Sequence, residues 1–202
     1  MKKFIVYNIL VGILCLMLTT PVLAISIGFN PASQTVGVGD SLSVDVVISG
    51  LEAGGLDEIV GAFDLDVTYD PTILFASGVT FGPFLGDPSL FEALTDFDLS
   101  TAGLIDFAEL SLLDDSTLAV MQPDSFSLAT LHFDAIALGT SQLRFVFNEF
   151  NDVKGLNAEV LSLVVSDGRV GVDVSAVPEP ATMFLLGSGL VGLALARKRF
   201  KV

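Results

Sequence analysis

Residues 62 to 71, Ala62-Phe63-Asp64-Leu65-Asp66-Val67-Thr68-Tyr69-Asp70-Pro71, combine a regular alternation with a turn signal. The apolar side chains share one face and are Phe63, Leu65, Val67 and Tyr69. The polar side chains share the other face and are Asp64, Asp66 and Thr68. This period of two is typical of a half-buried β-strand. Asp70-Pro71 then ends the strand, because proline lacks a backbone donor and aspartate favours turns.

The same alternation recurs on both sides of this stretch. In residues 42–49 the apolar Leu42, Val44, Val46 and Ile48 alternate with Ser43, Asp45 and Ser49, and only Val47 departs from the pattern. Further strands are predicted at residues 25–29, 104–113, 127–136, 142–147, 160–165 and 169–174. Only residues 89–95 suggest a turn or short helix. Many short strands separated by turn signals predict an all-β sandwich.

The N-terminal residues have the pattern of a secretory signal peptide. Lys2 and Lys3 precede an apolar run over residues 4–18, and Val22-Leu23-Ala24 places small residues at positions −3 and −1 of a cleavage site. Residues 1–24 are therefore predicted to be removed after Ala24. Cys15, the only cysteine, lies inside the apolar run, so lipid attachment, disulfides and thiol catalysis are not expected in the mature chain.

The C-terminal residues 175–202 form a second, different signal. Val177-Pro178-Glu179-Pro180 is followed by an uncharged run over residues 181–196 and a basic end made of Arg197, Lys198, Arg199 and Lys201. The two prolines favour an extended, accessible peptide. The apolar run would rise roughly 24 Å as a helix, against a hydrocarbon core of about 30 Å, so it is a marginal transmembrane helix. The basic end should stay cytoplasmic, which places the preceding residues outside.

Residues 177–201 resemble the PEP-CTERM sorting signal, a C-terminal tail of many secreted proteins in Gram-negative bacteria that make extracellular polysaccharide. The resemblance implies recognition by an exosortase, a membrane-embedded transpeptidase-like enzyme. It further implies transient anchoring in the inner membrane, cleavage near Pro178, Glu179 and Pro180, and delivery to the cell surface or matrix. The alternative is an ordinary C-terminal membrane anchor, which would not need the Pro-Glu-Pro motif.

Five pieces of residues 25–174 resemble the cohesin signature. They are Val38-Gly39-Asp40, residues 62–71 followed by Leu74, and residues 103–108, 128–133 and 167–172. The resemblance implies a jelly-roll β-sandwich of about nine strands, a fold shared with a superfamily of bacterial carbohydrate-binding modules. Cohesins bind dockerins through a flat sheet face that includes the strand before Tyr-Asp-Pro. This makes Asp64, Asp66 and Thr68 a candidate partner face, and the alternative is that they are only solvated surface residues.

Charge and residue counts restrict the chemistry. The chain has nine Lys and Arg against 24 Asp and Glu, which gives a net charge of −15. Only three of the basic residues, Arg144, Lys154 and Arg169, lie between the two end segments. Nucleic acid is therefore excluded as a partner. A zinc site built from histidines is also excluded, because His132 is the only histidine. No residues mark a His-centred catalytic triad, and the alternation of residues 130–134 predicts that His132 faces solvent with Thr130 and Asp134. An enzyme is not expected, although paired carboxylates for glycoside hydrolysis stay open.

Two kinds of ligand remain candidates. The chain has no tryptophan, so stacking on crystalline polysaccharide is not expected, whereas hydrogen bonding to soluble glycans stays open. No cofactor is required, but calcium is a candidate ion because it binds clustered oxygen ligands. The clusters are Asp96 with Asp98, Asp106 with Asp114 and Asp115, and Asn148-Glu149 with Asn151-Asp152. The alternative is that these acidic loops serve solubility.

The leading hypothesis is an exported, non-enzymatic surface or matrix protein, sorted by an exosortase and associated with exopolysaccharide or biofilm. The second is a binding module that recognises a dockerin-like protein or a soluble glycan. A hydrolase with two carboxylates is the third.

Overall fold

The computed structural model describes residues 24–52, 58–147, 152–174 and 188–190. Several predicted features lie outside the described residues: the signal peptide before Ala24, Glu149, the motif at residues 177–180 and the basic end. Of the apolar run at residues 181–196, only a short helical segment at 188–190 is described. Within the described ranges, no helix has the length and apolar character needed to cross a membrane.

The described chain folds into strands with little helix. The strands are β1 (Ser26–Asn30), β2 (Ser33–Gly37), β3 (Ser41–Ser49), β4 (Ala62–Thr68), β5 (Leu74–Phe81), β6 (Ala93–Asp98), β7 (Leu104–Ser111), β8 (Ser125–Ala135), β9 (Gly139–Val146), β10 (Val153–Lys154), β11 (Val164–Val165) and β12 (Gly168–Asp173). Between residues 24 and 174, the described ranges also contain one α-helix, α1 (Asp115–Met121), and two 3₁₀ turns, Pro88–Leu90 and Leu156–Ala158.

The strands form two sheets. The five-stranded sheet has the order β11-β1-β3-β8-β5. The seven-stranded sheet has the order β2-β12-β9-β4-β7-β6, with β10 also paired to β4. Most pairs are antiparallel, but β1 with β11 and β12 with β2 are parallel. The all-β sandwich predicted from alternation is confirmed.

Alternating apolar residues from both sheets meet to form one core. In β3 the buried row is Leu42, Val44, Val46 and Ile48, and in β4 it is Phe63, Leu65 and Val67. Aromatic rings join the sheets: Phe29 of β1 stacks on Phe145 of β9 with centroids 4.5 Å apart. Full burial of such a side chain contributes about 1.5–3 kcal/mol, so these rows dominate the stability of the sandwich.

The corner after β4 is held by backbone groups as well as by its ring. Tyr69 packs edge-on against Phe133 with centroids 5.4 Å apart. The amide of Tyr69 donates to the carbonyl of Gly103 at 3.0 Å, and the amide of Asp70 donates to the buried hydroxyl of Ser141 at 2.8 Å. Gly103 has φ +87°, and a Cβ there would lie 3.1 Å from Cδ of Pro71. The corner therefore needs both Tyr69-Asp70-Pro71 and a glycine opposite it.

The structure has more strands than the nine or so expected. Strands β2, β5, β6 and β10 were not predicted, and β6 includes residues expected to form a turn or short helix. Strand β6 is an edge strand in which only Ala93 is buried, so its sequence does not show the alternation of a half-buried strand. Helix α1 was missed because its seven residues bury only Leu118, which is too short a segment to display a helical period.

Candidate functional site

The outer face of the seven-stranded sheet carries a row of carboxylates. Asp66 of β4 lies directly opposite Asp106 of β7, and Asp106 lies directly opposite Asp98 of β6. One step along the strands, Asp64 and Asp96 lie on either side of Ala108. Directly opposed residues in antiparallel strands have Cβ atoms about 4.5–5.5 Å apart, so these side chains are close neighbours.

These carboxylates repel one another. Partial burial is the main cause that raises the pKa of Asp64, followed by the charges of Asp106, Asp66 and Asp152. Partial burial is likewise the main cause that raises the pKa of Asp106, followed by the charges of Asp66, Asp98 and Asp96. Such a face favours binding of positive charge, because a cation would relieve the repulsion.

An apolar end adjoins the carboxylate row. Leu110 of β7 lies opposite Leu94 of β6 and opposite Ala62 of β4. The two leucine side chains remain about half exposed, at 48% and 55%. Ala62 and Ala108 are small, and they leave a groove of about 330 Å³ between the leucines, Asp64, Asp96 and the Asp152–Lys154 ion pair. We call the surface formed by Asp64, Asp66, Asp96, Asp98, Asp106, Leu94 and Leu110 the acidic–apolar face.

The residues predicted from the strand before Tyr-Asp-Pro lie on this face. Asp64 and Asp66 are part of it, and Thr68 continues their outward row along β4, as alternation predicted. Thr68 also donates its hydroxyl to the carbonyl of Arg144 at 3.2 Å, so it helps to join β4 to β9. Arg144 itself pairs with Asp167 at 3.2 Å. Among the described residues, the aspartates of the acidic–apolar face form no ion pair with Lys or Arg.

The calcium candidates are only partly brought together. Asp96, Asp98 and Asp106 meet on the acidic–apolar face, but Asp114 and Asp115 do not join Asp106, which corrects that grouping. Asp114 caps α1, where its carboxylate accepts from the amide of Thr117, and Asp115 accepts from the amide of Asn157. The carboxylates of Asp114 and Asp115 thus bind local backbone donors. Asp152 pairs with Lys154 at 2.6 Å.

Metal binding stays a prediction. Across the described ranges, no group of three or more His, Cys, Asp or Glu side chains is arranged to hold a metal ion. The aspartates of the acidic–apolar face instead follow the spacing of neighbouring strands, which spreads their carboxylates over β4, β7 and β6. Asp106, which lies directly opposite both Asp66 and Asp98, is the candidate ligand that a test of calcium binding should change first.

Glu109 is a buried carboxyl that the sequence did not lead us to expect. Glu109 continues the inward row of Ile105 and Phe107, is 1% exposed, and has no hydrogen-bond partner for either carboxylate oxygen. Burial raises the pKa of Glu109 to about 7. Extending the alternation of residues 104–108 by one residue would have found it. Leu94 and Leu110 were also missed, because their meeting depends on the register of β6 against β7.

The single histidine lies on the opposite outer face. His132 of β8 faces outward with Thr130 and Asp134, as alternation predicted. Its ring nitrogens are bonded to two hydroxyls, Nδ1 to Ser43 at 3.0 Å and Nε2 to Thr80 at 2.8 Å.

Comparison with known proteins separates the tail from the sandwich. Residues 176–199 match the family model of the PEP-CTERM protein-sorting motif. None of the curated protein sequences matches the chain.

Solved structures similar to the sandwich are cohesin modules. The sixth cohesin of scaffoldin B from Acetivibrio cellulolyticus, solved in complex with a mutant Cel5 dockerin, has 17% identity and a TM-score of 0.58, over 74% of this chain and 99% of that one. The seventh ScaB type I cohesin of Pseudobacteroides cellulosolvens has 20% identity and a TM-score of 0.55, over 77% and 95%. The cohesin module of a family 33 glycoside hydrolase from Clostridium perfringens has 15% identity and a TM-score of 0.56, over 77% and 100%.

The two findings together define the architecture. The sandwich has the cohesin fold, and the C-terminal residues carry a PEP-CTERM sorting motif that implies export and sorting to the cell envelope.

Proposed function

We propose that the protein is an exported, non-catalytic binding module whose acidic–apolar face captures a protein partner at the cell surface or in the extracellular matrix. The partner presents basic side chains to the aspartates and an apolar side chain to the groove beside Leu94 and Leu110. A dockerin-like protein is the first candidate partner.

One observation carries this proposal: half-exposed leucines and a row of aspartates lie together on one outer sheet face. Exposed leucines cost free energy in water, and clustered carboxylates repel one another. A partner of opposite charge with an apolar contact removes both costs. The solved dockerin complex of a cohesin with the same fold supports a protein as the occupant.

The sorting motif supports the second part of the proposal, the route. An exosortase cleaves near Pro178, Glu179 and Pro180 after the chain is anchored in the inner membrane of a Gram-negative cell. The product then joins the surface or an exopolysaccharide matrix. The match of residues 176–199 to the sorting motif is the support for this route, and the predicted signal peptide agrees with it.

The binding face is tested by charge reversal. Asp64→Lys with Asp66→Lys should abolish capture of a partner from the secreted proteins of the producing cells, while the melting temperature is retained or rises because repulsion is relieved. Glu52→Lys with Glu159→Lys is the matched control, because both residues are exposed and lie outside the face. Capture of the same proteins by all three versions of the chain would contradict the proposal.

A further inference from the structure

The outer face of the five-stranded sheet contains a second, polar groove. Its volume is about 470 Å³, within the range of small-molecule sites, and its lining includes Ser41, Ser43, Ser77, Gly78, His132 and Asp134. The groove lies across β3, β8 and β5, on the sheet that does not carry the acidic–apolar face.

The hydrogen bonds of His132 leave both donor and acceptor capacity in the groove. A neutral imidazole has one donor and one acceptor nitrogen, and here the two nitrogens bind the hydroxyls of Ser43 and Thr80. In either tautomer, one hydroxyl donates to the ring and the other accepts from it. The accepting hydroxyl therefore keeps its own proton, and both keep oxygen lone pairs. Of the two, Ser43 lines the groove, and Thr80 holds the imidazole from outside the lining.

The carboxylate of Asp134 adds a strong hydrogen-bond acceptor next to His132 and its two hydroxyl partners. Asp134 lies on the same outward row as His132, and its Oδ1 accepts from the hydroxyl of Ser41 at 2.7 Å. The other oxygen, Oδ2, has no partner within the described part of the chain. Bonds that hold a side chain in one orientation lower the entropy lost when a ligand binds.

An exposed aromatic ring lies beside Asp134, which is one of the residues that line the groove. Phe75 of β5 is directly opposite Asp134 in the register, and its side chain is 58% exposed. The face of an aromatic ring is negative in its quadrupole and attracts C–H groups of slight positive charge. A ring beside a carboxylate and hydroxyls matches a ligand that has an apolar C–H face and hydroxyls at its edge.

Gly78 provides the depth of the groove. It lies opposite His132, next to the irregularity in the β5–β8 register between Ala76 and Gly78. A Cβ at Gly78 would be 3.9 Å from Cδ2 of His132, which is ordinary van der Waals contact. A side chain here would therefore fill the groove over the imidazole without displacing any backbone.

Charge selects among hydroxylated ligands. Asp45 and Asp134 both lie on this face, and the whole chain has a net charge of −15. A uronate or phosphate ligand would be repelled, whereas a neutral sugar would not. Neighbouring sugar hydroxyls can donate to Asp134 and accept from a free hydroxyl proton.

We propose that this groove binds a neutral saccharide, with Asp134, Ser43 and His132 at the hydroxyls of one pyranose ring and Phe75, beside Asp134, against its C–H face. The inference rests on the proposed function in that only an exported chain would meet extracellular saccharides. The two outer faces of the sandwich would then join a protein partner to a matrix glycan.

The test uses the full chain with cellohexaose, mannohexaose and chitohexaose as neutral probes and polygalacturonate as the anionic probe, measured by calorimetric titration. At least one neutral probe should bind with a dissociation constant on the order of 1 mM. Gly78→Val should abolish binding and keep the melting temperature, because valine suits a strand and blocks the groove. Phe75→Ala should weaken binding about threefold to tenfold.

Ser49→Ala is the matched control, because Ser49 is on the same face of β3 but bonds to Ser125 at the other end of the strand. No binding of any neutral probe at about ten times the expected dissociation constant would overturn the inference, as would equal binding by wild type and Gly78→Val. The variant Asp64→Lys with Asp66→Lys should bind the saccharide normally. Its loss of partner capture alone would therefore test the proposed function separately.

Discussion

The buried carboxyl of Glu109 makes the stability of the sandwich depend on pH in a defined direction. The side chain is 1% exposed and neither oxygen is hydrogen-bonded, so the charged form is disfavoured in the folded chain. Burial raises its pKa from 4.5 to about 7. In the unfolded chain the same carboxyl is in water and keeps its ordinary value.

The magnitude follows from the two pKa values. A raised pKa means that the folded chain holds a proton between pH 4.5 and about pH 7 that the unfolded chain has lost. The free energy of unfolding therefore falls as pH rises through this window, by about 3 kcal/mol in total. The loss is complete about one pH unit above the folded pKa of about 7 and absent about one pH unit below the unfolded value of 4.5.

Glu109→Gln isolates this contribution, because the amide has a similar shape and does not titrate. Between pH 5 and pH 8 the wild type should lose about 2.5 kcal/mol relative to Glu109→Gln, measured by urea unfolding at both pH values. This corresponds to a relative fall in melting temperature of about 5–10 °C. Other carboxyls titrate equally in both chains and cancel in the comparison.

Glu109→Met provides a second variant in which no buried polar atom remains. It should be more stable than the wild type at pH 8, and the difference should shrink toward pH 5. A parallel loss of stability by the wild type and Glu109→Gln between pH 5 and pH 8 would refute a raised pKa for Glu109 in the folded chain.

Three further predictions concern packing, sorting and ions. Gln122→Ala should lower the free energy of unfolding in urea by about 2–4 kcal/mol. The Gln122 side chain accepts from the amide of buried Val60 and donates to its carbonyl, at 2.7 Å each, and it donates to the carbonyl of Phe84 at 3.0 Å. A loss of stability below about 0.5 kcal/mol would contradict this prediction. Glu179→Ala should leave the precursor in the membrane fraction, and normal release of this variant would exclude an exosortase. Calcium should raise the melting temperature more than sodium at matched ionic strength, and Asp106→Asn should remove the difference; equal effects of both ions would contradict a calcium site.

The alternation of apolar and polar residues predicted those strands that bury one of their two faces. Strands β3, β4 and β8 follow it closely, and it correctly oriented Asp64, Asp66 and His132 toward solvent. A period of two determines which face each side chain takes, and burial of the apolar row then fixes the register.

The grouping of residues across strands could not be predicted in the same way. Asp98 meets Asp106, and Leu94 meets Leu110, because β6 pairs with β7 in one register, and the sequence of this exposed edge strand does not specify it. The groove at Gly78 likewise depends on a local irregularity in β5. Glu109 was within reach of alternation but contradicts the rule that the inward row is apolar.

The most direct test of export and sorting is the intact mass of the protein from the culture medium and from the cell envelope. A species that begins near Ile25 and ends near Pro178 to Pro180 is the expected result, because the signal peptide and the tail after the motif are both removed. A species that retains residues 184–201 would contradict exosortase processing and would identify the tail as a permanent anchor.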